Sequence, residues 1–88
     1  MLEYLPIYNK GQLTIQNSSG EEYDGIIKDG DYVINEGGFR IDSGILDNIR
    51  NIDNSGILIL NGGCIKNSNL ICLSGSTFII NGGSIENC

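Results

Sequence analysis

The chain has 88 residues, with 11 acidic and 5 basic side chains, a net charge of −6 and no histidine. The length allows one small domain. The acidic balance argues against direct nucleic-acid binding, which needs Lys and Arg to displace the counterions of the phosphates. No stretch approaches the ~20 apolar residues of a membrane span, so the sequence predicts no nucleic-acid and no membrane partner.

The N-terminal segment, residues 1–10, contains the strand breaker Pro6 and is predicted to cap the first coil of a repeat region spanning 11–88. It lacks a basic n-region and a long apolar stretch, so no signal peptide is predicted. We therefore expect the protein to reside in the cytoplasm or in a virion.

Short apolar or β-branched runs bounded by turn residues then predict strands along the chain. These runs cover residues 13–15, 32–34, 57–60, 70–73 and 77–80. Residues 45–52 fit either a short helical turn or a further short strand with turns.

Residues 57–67 return twenty positions later as residues 77–87, and both copies contain a strand, an Asn and a Gly-Gly pair. A fainter copy occupies 31–39. Repetition at this period indicates a solenoid of stacked strands, whereas an antiparallel meander would give no reason for Asn-Gly-Gly to recur. The Gly-Gly pairs are expected to turn the corners.

Aligning the copies predicts which side chains lie inside, because strands alternate faces. The predicted interior columns are Leu13, Tyr32, Leu58, Phe78 and Ile15, Ile34, Leu60, Ile80; the predicted outward column is Thr14, Val33, Ile59, Ile79. The aligned positions 13, 32, 58 and 78 are 19, 26 and 20 residues apart, and the longer spacing predicts an insertion within 39–54. Asn35, Asn61 and Asn81 are expected to stack, with Asn67 over Asn87.

The repeat resembles the right-handed parallel β-helix of the pectate-lyase and phage-tailspike type, most clearly over residues 31–88. The resemblance implies an all-β fold, a short right-handed parallel β-helix of about four coils with an open C-terminal end. It does not fix an activity, because this fold supports lyases, hydrolases, adhesins, virion fibres and filaments.

Chemical sites are weakly indicated. The three cysteines, Cys64, Cys72 and Cys88, form no C-x-x-C pair, so no metal, cofactor or catalytic residue is predicted. A carbohydrate site would use Asp42, Asp47 and Asp53, since paired carboxylates serve sugar hydrolysis, although Asp is also expected in turns.

The charge falls along the chain, from −4 in residues 1–31 to −2 in 32–53 and zero in 54–88. We expect an uncharged last coil and an outward apolar stripe to form an interface. The candidates are Val33, Ile57, Ile59, Ile79, Ile85 and Cys88.

These features predict a non-enzymatic structural or attachment module that binds copies of itself or an adjoining structural subunit. The most concrete form is a phage or virus fibre, appendage or capsid-decoration subunit that forms a homo-oligomer. One alternative is a filament-forming module that resembles bactofilins and polymerises end to end. The other is a carbohydrate-binding or carbohydrate-active module.

Overall fold

The structure, a computed structural model, describes residues 7–18 and 25–88. This part of the chain forms twelve short strands, consistent with its many Ile and Leu residues between turn residues. They are β1 (Ile7–Asn9), β2 (Gln12–Ile15), β3 (Ile26–Lys28), β4 (Tyr32–Asn35), β5 (Gly38–Ile41), β6 (Ile45–Asp47), β7 (Asn51–Asn54), β8 (Ile57–Leu60), β9 (Cys64–Lys66), β10 (Leu70–Cys72), β11 (Thr77–Ile80) and β12 (Ser84–Glu86).

The strands form three parallel sheets of four strands each, and the chain visits the sheets in turn. Sheet A has the order β1-β4-β7-β10, sheet B β2-β5-β8-β11 and sheet C β3-β6-β9-β12. Three consecutive strands, one in each sheet, make a rung; β1–β3 form rung 1 and β10–β12 form rung 4. The predicted parallel solenoid is therefore confirmed, and the meander is excluded.

Apolar columns fill the interior, because every second residue of each strand points inward. Leu13, Phe39, Leu58 and Phe78 form one column of sheet B, and Ile15, Ile41, Leu60 and Ile80 form the other. Sheet C adds Ile27, Leu46, Ile65 and Ile85, and sheet A adds Ile7, Val33, Ile52 and Leu70.

The predicted alignment of residues 32–34 with sheet B is wrong. Tyr32 lies in sheet A opposite Asn51, and Phe39 and Ile41 take the predicted places of Tyr32 and Ile34. Val33 consequently points inward and is 1% exposed, so it is not part of an outward stripe. The error arises because β4 and β5, two strands of one rung, both resemble the later repeats.

The insertion also lies elsewhere than predicted. Equivalent positions 13, 39, 58 and 78 are 26, 19 and 20 residues apart. The extra residues therefore lie in rung 1, between β2 and β3, and not within 39–54. Residues 45–52 contain β6 and the start of β7, so the strand alternative is confirmed and the helical turn is wrong.

Left-handed backbone recurs from rung to rung at two corners of the solenoid. Asp29, Asn48, Asn67 and Asn87 follow the strands of sheet C with φ between 52° and 57°, which Asn and Asp tolerate better than most residues. Gly63 and Gly83 turn the corner from sheet B to sheet C with φ of 75° and 77°. A Cβ on Gly63 would lie 2.4 Å from the carbonyl oxygen of Gly44, so close stacking also requires glycine there.

The predicted cap falls largely outside the described residues, since 1–6 are not among them. Within the predicted cap, Ile7–Asn9 form β1 and pair with β4 in the ladder of sheet A.

Candidate functional site

The outer edge of rung 4 exposes residues that belong to the interior columns. Ile80 is 58% exposed and Ile85 37%, whereas Leu60 and Ile65, one rung earlier, are fully buried. The difference comes from stacking, because Leu60 and Ile65 lie between rungs 2 and 4, whereas Ile80 and Ile85 have a neighbouring rung on one side only. We call this surface, built on β10, β11 and β12, the rung 4 edge.

The backbone of the rung 4 edge is also available for pairing. Within the described part of the chain, β10, β11 and β12 each pair with one neighbour and terminate their sheets. Their outward N–H and C=O groups form a template for a further parallel strand. Residues 70–88 contain Glu86 as their one charged side chain, so little charge protects this edge.

Asparagine columns continue to the same edge. Asn81 donates from Nδ2 to Asn61 Oδ1 over 2.7 Å, and Asn87 donates to Asn67 Oδ1 over 2.8 Å. These two stacks are as predicted, but Asn35 does not belong to the first of them. Asn61 instead donates to Asp42 Oδ1 over 2.9 Å, which makes Asp42 the rung 2 member of that column.

A second, buried asparagine ladder was not predicted. Asn9 donates to Asn35 Oδ1 over 2.9 Å, and Asn35 donates to Asn54 Oδ1 over 2.8 Å. Asn35 and Asn54 are fully buried and also donate to the carbonyl oxygens of Ile57 and Thr77, which joins sheet A to sheet B. The signal for this ladder is the recurring Asn-x-Gly at 9–11, 35–37 and 54–56.

Cys72 occupies the equivalent position in rung 4 and ends the buried ladder. Its side chain is exposed, as is that of Cys88, and the three cysteines are unpaired. Cys64 is buried and its thiol donates to Glu86 Oε2 over 3.1 Å. Burial raises the pKa of the Cys64 thiol, with a further contribution from Glu86, so this thiol stays protonated at neutral pH.

The predicted lateral stripe exists in part, on the outer face of sheet B. Ile57 is 47% exposed, Ile79 40%, and Ile59 is half-buried between them. Arg40, not Val33, is the rung 2 member of this column. Ile85 belongs to the rung 4 edge, because it pairs with the fully buried Ile65. Cys88 lies beside this edge, with Sγ 3.6 Å from the carbonyl oxygen of Ile65.

The structure does not gather the three candidate carboxylates on one face. Asp42 lies at the corner between sheets B and C, where its carboxylate pairs with Arg40 Nε at 3.1 Å. Asp47 ends β6 in sheet C and accepts a hydrogen bond of 2.9 Å from Asn67. Asp53 lies on the outer face of sheet A, with a buried Oδ1 that accepts no hydrogen bond.

Asp29, Asp31 and Arg50 line a shallow depression of about 180 Å³. This is smaller than the roughly 300–1,000 Å³ of typical ligand sites. Across the described ranges, no three His, Cys, Asp or Glu side chains cluster closely enough to hold a metal ion. The same ranges contain no helix that is long and apolar enough to cross a bilayer.

No protein-family model, no curated protein and no solved structure matches this chain. The class of protein is therefore defined by the strand pairing itself, and this class is the parallel β-solenoids.

Proposed function

We propose that this chain is a non-enzymatic structural module that works by joining copies of itself, or an adjoining structural subunit, into an assembly. The observation that carries this proposal is the rung 4 edge, where Ile80 and Ile85 are 58% and 37% exposed in columns that are otherwise buried. Covering these side chains removes apolar surface from water and completes three sheets at once.

The acidic side chains support a structural role. The Asp42 and Asp47 carboxylates accept hydrogen bonds from Asn61 and Asn67 in the next rung, so they serve the stacking of the solenoid. Paired carboxylates that cleave sugars stand roughly 5–10 Å apart across one bond. Asp42, Asp47 and Asp53 lie on different sides or corners of the solenoid, and this arrangement does not favour such a pair.

A virion component and a filament are two forms of the proposed function. A fibre, appendage or capsid-decoration subunit of a phage or virus would close into a homo-oligomer of one defined mass. A filament would grow without closing, since contacts between unlike surfaces produce open chains unless the rotation closes a ring.

Light scattering on the 88-residue chain tests the proposal. We expect the average mass to rise with concentration up to about 100 µM, the range in which contacts worth roughly −5.5 kcal/mol become populated. The proposal predicts that Ile80→Lys, which places a charge at the rung 4 edge, lowers the mass if this edge is used. Ile59→Lys lowers it if the lateral stripe is used.

Ser55→Lys is the control, because Ser55 is exposed and lies between β7 and β8, away from the strands of rungs 1 and 4, and the substitution adds the same charge. A constant monomer mass across the whole concentration range would overturn the proposed function.

A further inference from the structure

Charges alternate along one outer column of sheet C. Lys28 is the ladder partner of Asp47, Asp47 of Lys66, and Lys66 of Glu86. The signs therefore run plus, minus, plus, minus from rung 1 to rung 4. The described residues form no close ion pair within this column, but neighbours lie one strand spacing apart, where like charges would be unfavourable.

An interior column of sheet B alternates with the same period. Leu13 is the partner of Phe39, Phe39 of Leu58, and Leu58 of Phe78, so each aromatic ring stacks against leucine. Phe39 and Leu58 are 1% and 0% exposed, which shows how completely this sequence of sizes fills the interior. Two columns, one polar and one apolar, thus repeat every second rung.

The two ends of the solenoid are consequently complementary. Rung 1 presents Lys28 and Leu13, and rung 4 presents Glu86 and Phe78. Because the described residues form an even number of rungs, a copy added in the same direction continues both alternations. Like the strands of rung 4, β1, β2 and β3 terminate their sheets within the described part of the chain.

We propose that the rung 4 edge binds rung 1 of a second copy of this chain, head to tail, with all strands parallel. In this contact β10 pairs with β1, β11 with β2 and β12 with β3 of the second copy. The inference rests on the proposed self-association and deepens it by naming the partner surface and its register. Glu86 then faces Lys28 of the second copy, and Phe78 packs against Leu13 of the second copy.

The remaining apolar columns of sheets B and C fit the same register. Ile80 would face Ile15 of the second copy, which is the partner of Ile41 within the chain and is only 6% exposed, so this pair adds little contact. Ile85 would pack on Ile27, whose neighbour within the chain is Leu46. Every new apolar pair is therefore of a kind that the solenoid already buries between its own rungs.

A symmetric contact between two rung 4 edges fits less well. A two-fold axis across the solenoid can place one sheet against itself but exchanges the other two, and it reverses the strand direction. The leucine–phenylalanine and plus–minus alternations then both stop at the contact. Because Glu86 is the single charged side chain of residues 70–88, charge repulsion does little to prevent this arrangement, and it is the main competing outcome of the test.

The test uses two charge reversals, Lys28→Glu and Glu86→Lys, measured alone and as a mixture. Alone, each variant places like charges at every junction, Glu against Glu or Lys against Lys. In the mixture each junction can join Glu to Lys again. We expect each variant alone to associate about three- to tenfold more weakly than the natural chain, as expected for like charges on opposed strand positions.

We expect the mixture to recover most of that loss by sedimentation equilibrium, with both variants in each assembly. Arg50→Glu is the control, since it makes the same charge change as Lys28→Glu at a side chain that is 71% exposed and lies away from both end strands. Circular dichroism of each variant establishes that the fold is kept. Because recovery on mixing requires folded subunits, a folding defect cannot imitate it.

The outcomes separate this inference from the proposed function. Association that is unaffected by both reversals, or that stops at a dimer sensitive to Glu86→Lys alone, overturns head-to-tail stacking but keeps self-association. Association lost in Ile59→Lys and kept in both reversals assigns the contact to the lateral stripe. A natural chain that stays monomeric overturns both proposals.

Discussion

Rungs 2 and 3 differ from rung 4 in environment much more than in sequence. Ile41 and Ile80 are the same residue type in the same interior column, yet Ile41 is 0% and Ile80 58% exposed. Likewise Leu46 and Ile65 are fully buried, while Ile85 in their column is partly exposed. Residues such as Ile41 are therefore buried by the rung stacked above them, and stability belongs to the interfaces between rungs.

The largest expected effect contrasts Ile41→Ala with Ile80→Ala in the dilute monomer. We expect Ile41→Ala to lower the free energy of unfolding by about 2–5 kcal/mol, because it removes buried methyl groups and leaves a cavity. Ile80→Ala should cost less than about 1 kcal/mol, since most of that side chain already contacts water. Urea unfolding followed by circular dichroism measures both.

The milder pair Ile41→Val and Ile80→Val covers the case in which Ile41→Ala fails to fold, with about 0.5–1.5 kcal/mol expected for the first. Equal losses for the two isoleucines would mean that rung 4 is already covered in the monomer, and the contrast between rungs would be wrong.

A smaller effect separates the buried and exposed asparagine columns. Asn54→Ala removes the acceptor that Asn35 uses and the donor to the Thr77 carbonyl oxygen, at a fully buried position. We expect a loss of about 1–3 kcal/mol, the cost of unsatisfied buried polar groups. Asn81→Ala removes one exposed hydrogen bond to Asn61 and should cost a few tenths of a kcal/mol to about 1 kcal/mol.

Thermal unfolding of these two variants, with the natural chain beside them, gives the comparison. If Asn81→Ala is as damaging as Asn54→Ala, the exposed columns contribute as much as the buried ladder, and the distinction between interior and corner asparagines fails.

The repeat of residues 57–67 and 77–87 predicts the architecture because similar strands on successive rungs are stacked directly on each other. Residues 31–39 do not stack in this way on the later repeats. Their strand resembles sheet B in composition, but it lies in sheet A, and β5 is interrupted by the charged Arg40. Periodicity identifies equivalent strands on successive rungs when their sequences are nearly identical. When the sequences differ, periodicity cannot tell which of two strands in one rung is the equivalent one.

The candidate interface residues were also placed correctly in the last two repeats and wrongly in residues 31–39. Ile57, Ile59 and Ile79 lie on the outer face of sheet B as the alternation of the last two repeats predicts. Val33 was misplaced with its strand, and Ile85 lies in an inward column that reaches the rung 4 edge. The complementarity of the two ends could be recognised only from the pairing register of the strands. The residues of the charged column share no local motif in the sequence; they are Lys28, Asp47, Lys66 and Glu86.

The smallest expected effect concerns Asp29, one of the positions at which the proposed head-to-tail contact is not complementary. In its column the side chain of Asn48 donates to Asp29, and that of Asn87 donates to Asn67. Since each donor is directed to the preceding rung, the side-chain oxygen Oδ1 of Asn87 is left to face the next rung. Asp29 of a second copy offers a carboxylate there and no donor. Asp29→Asn supplies that donor and keeps the acceptor for Asn48.

We expect Asp29→Asn to strengthen association by about two- to fivefold, the equivalent of one exposed hydrogen bond of about 0.5–1 kcal/mol. Asp31→Asn is the matched control, because it removes the same charge from an acid that pairs with Arg50 at 3.4 Å and not with the asparagine column. Sedimentation equilibrium compares the two variants at equal ionic strength. Equal strengthening by both would assign the gain to reduced net charge, and a gain specific to Asp29→Asn supports rung 1 of a second copy as the surface that meets Asn87.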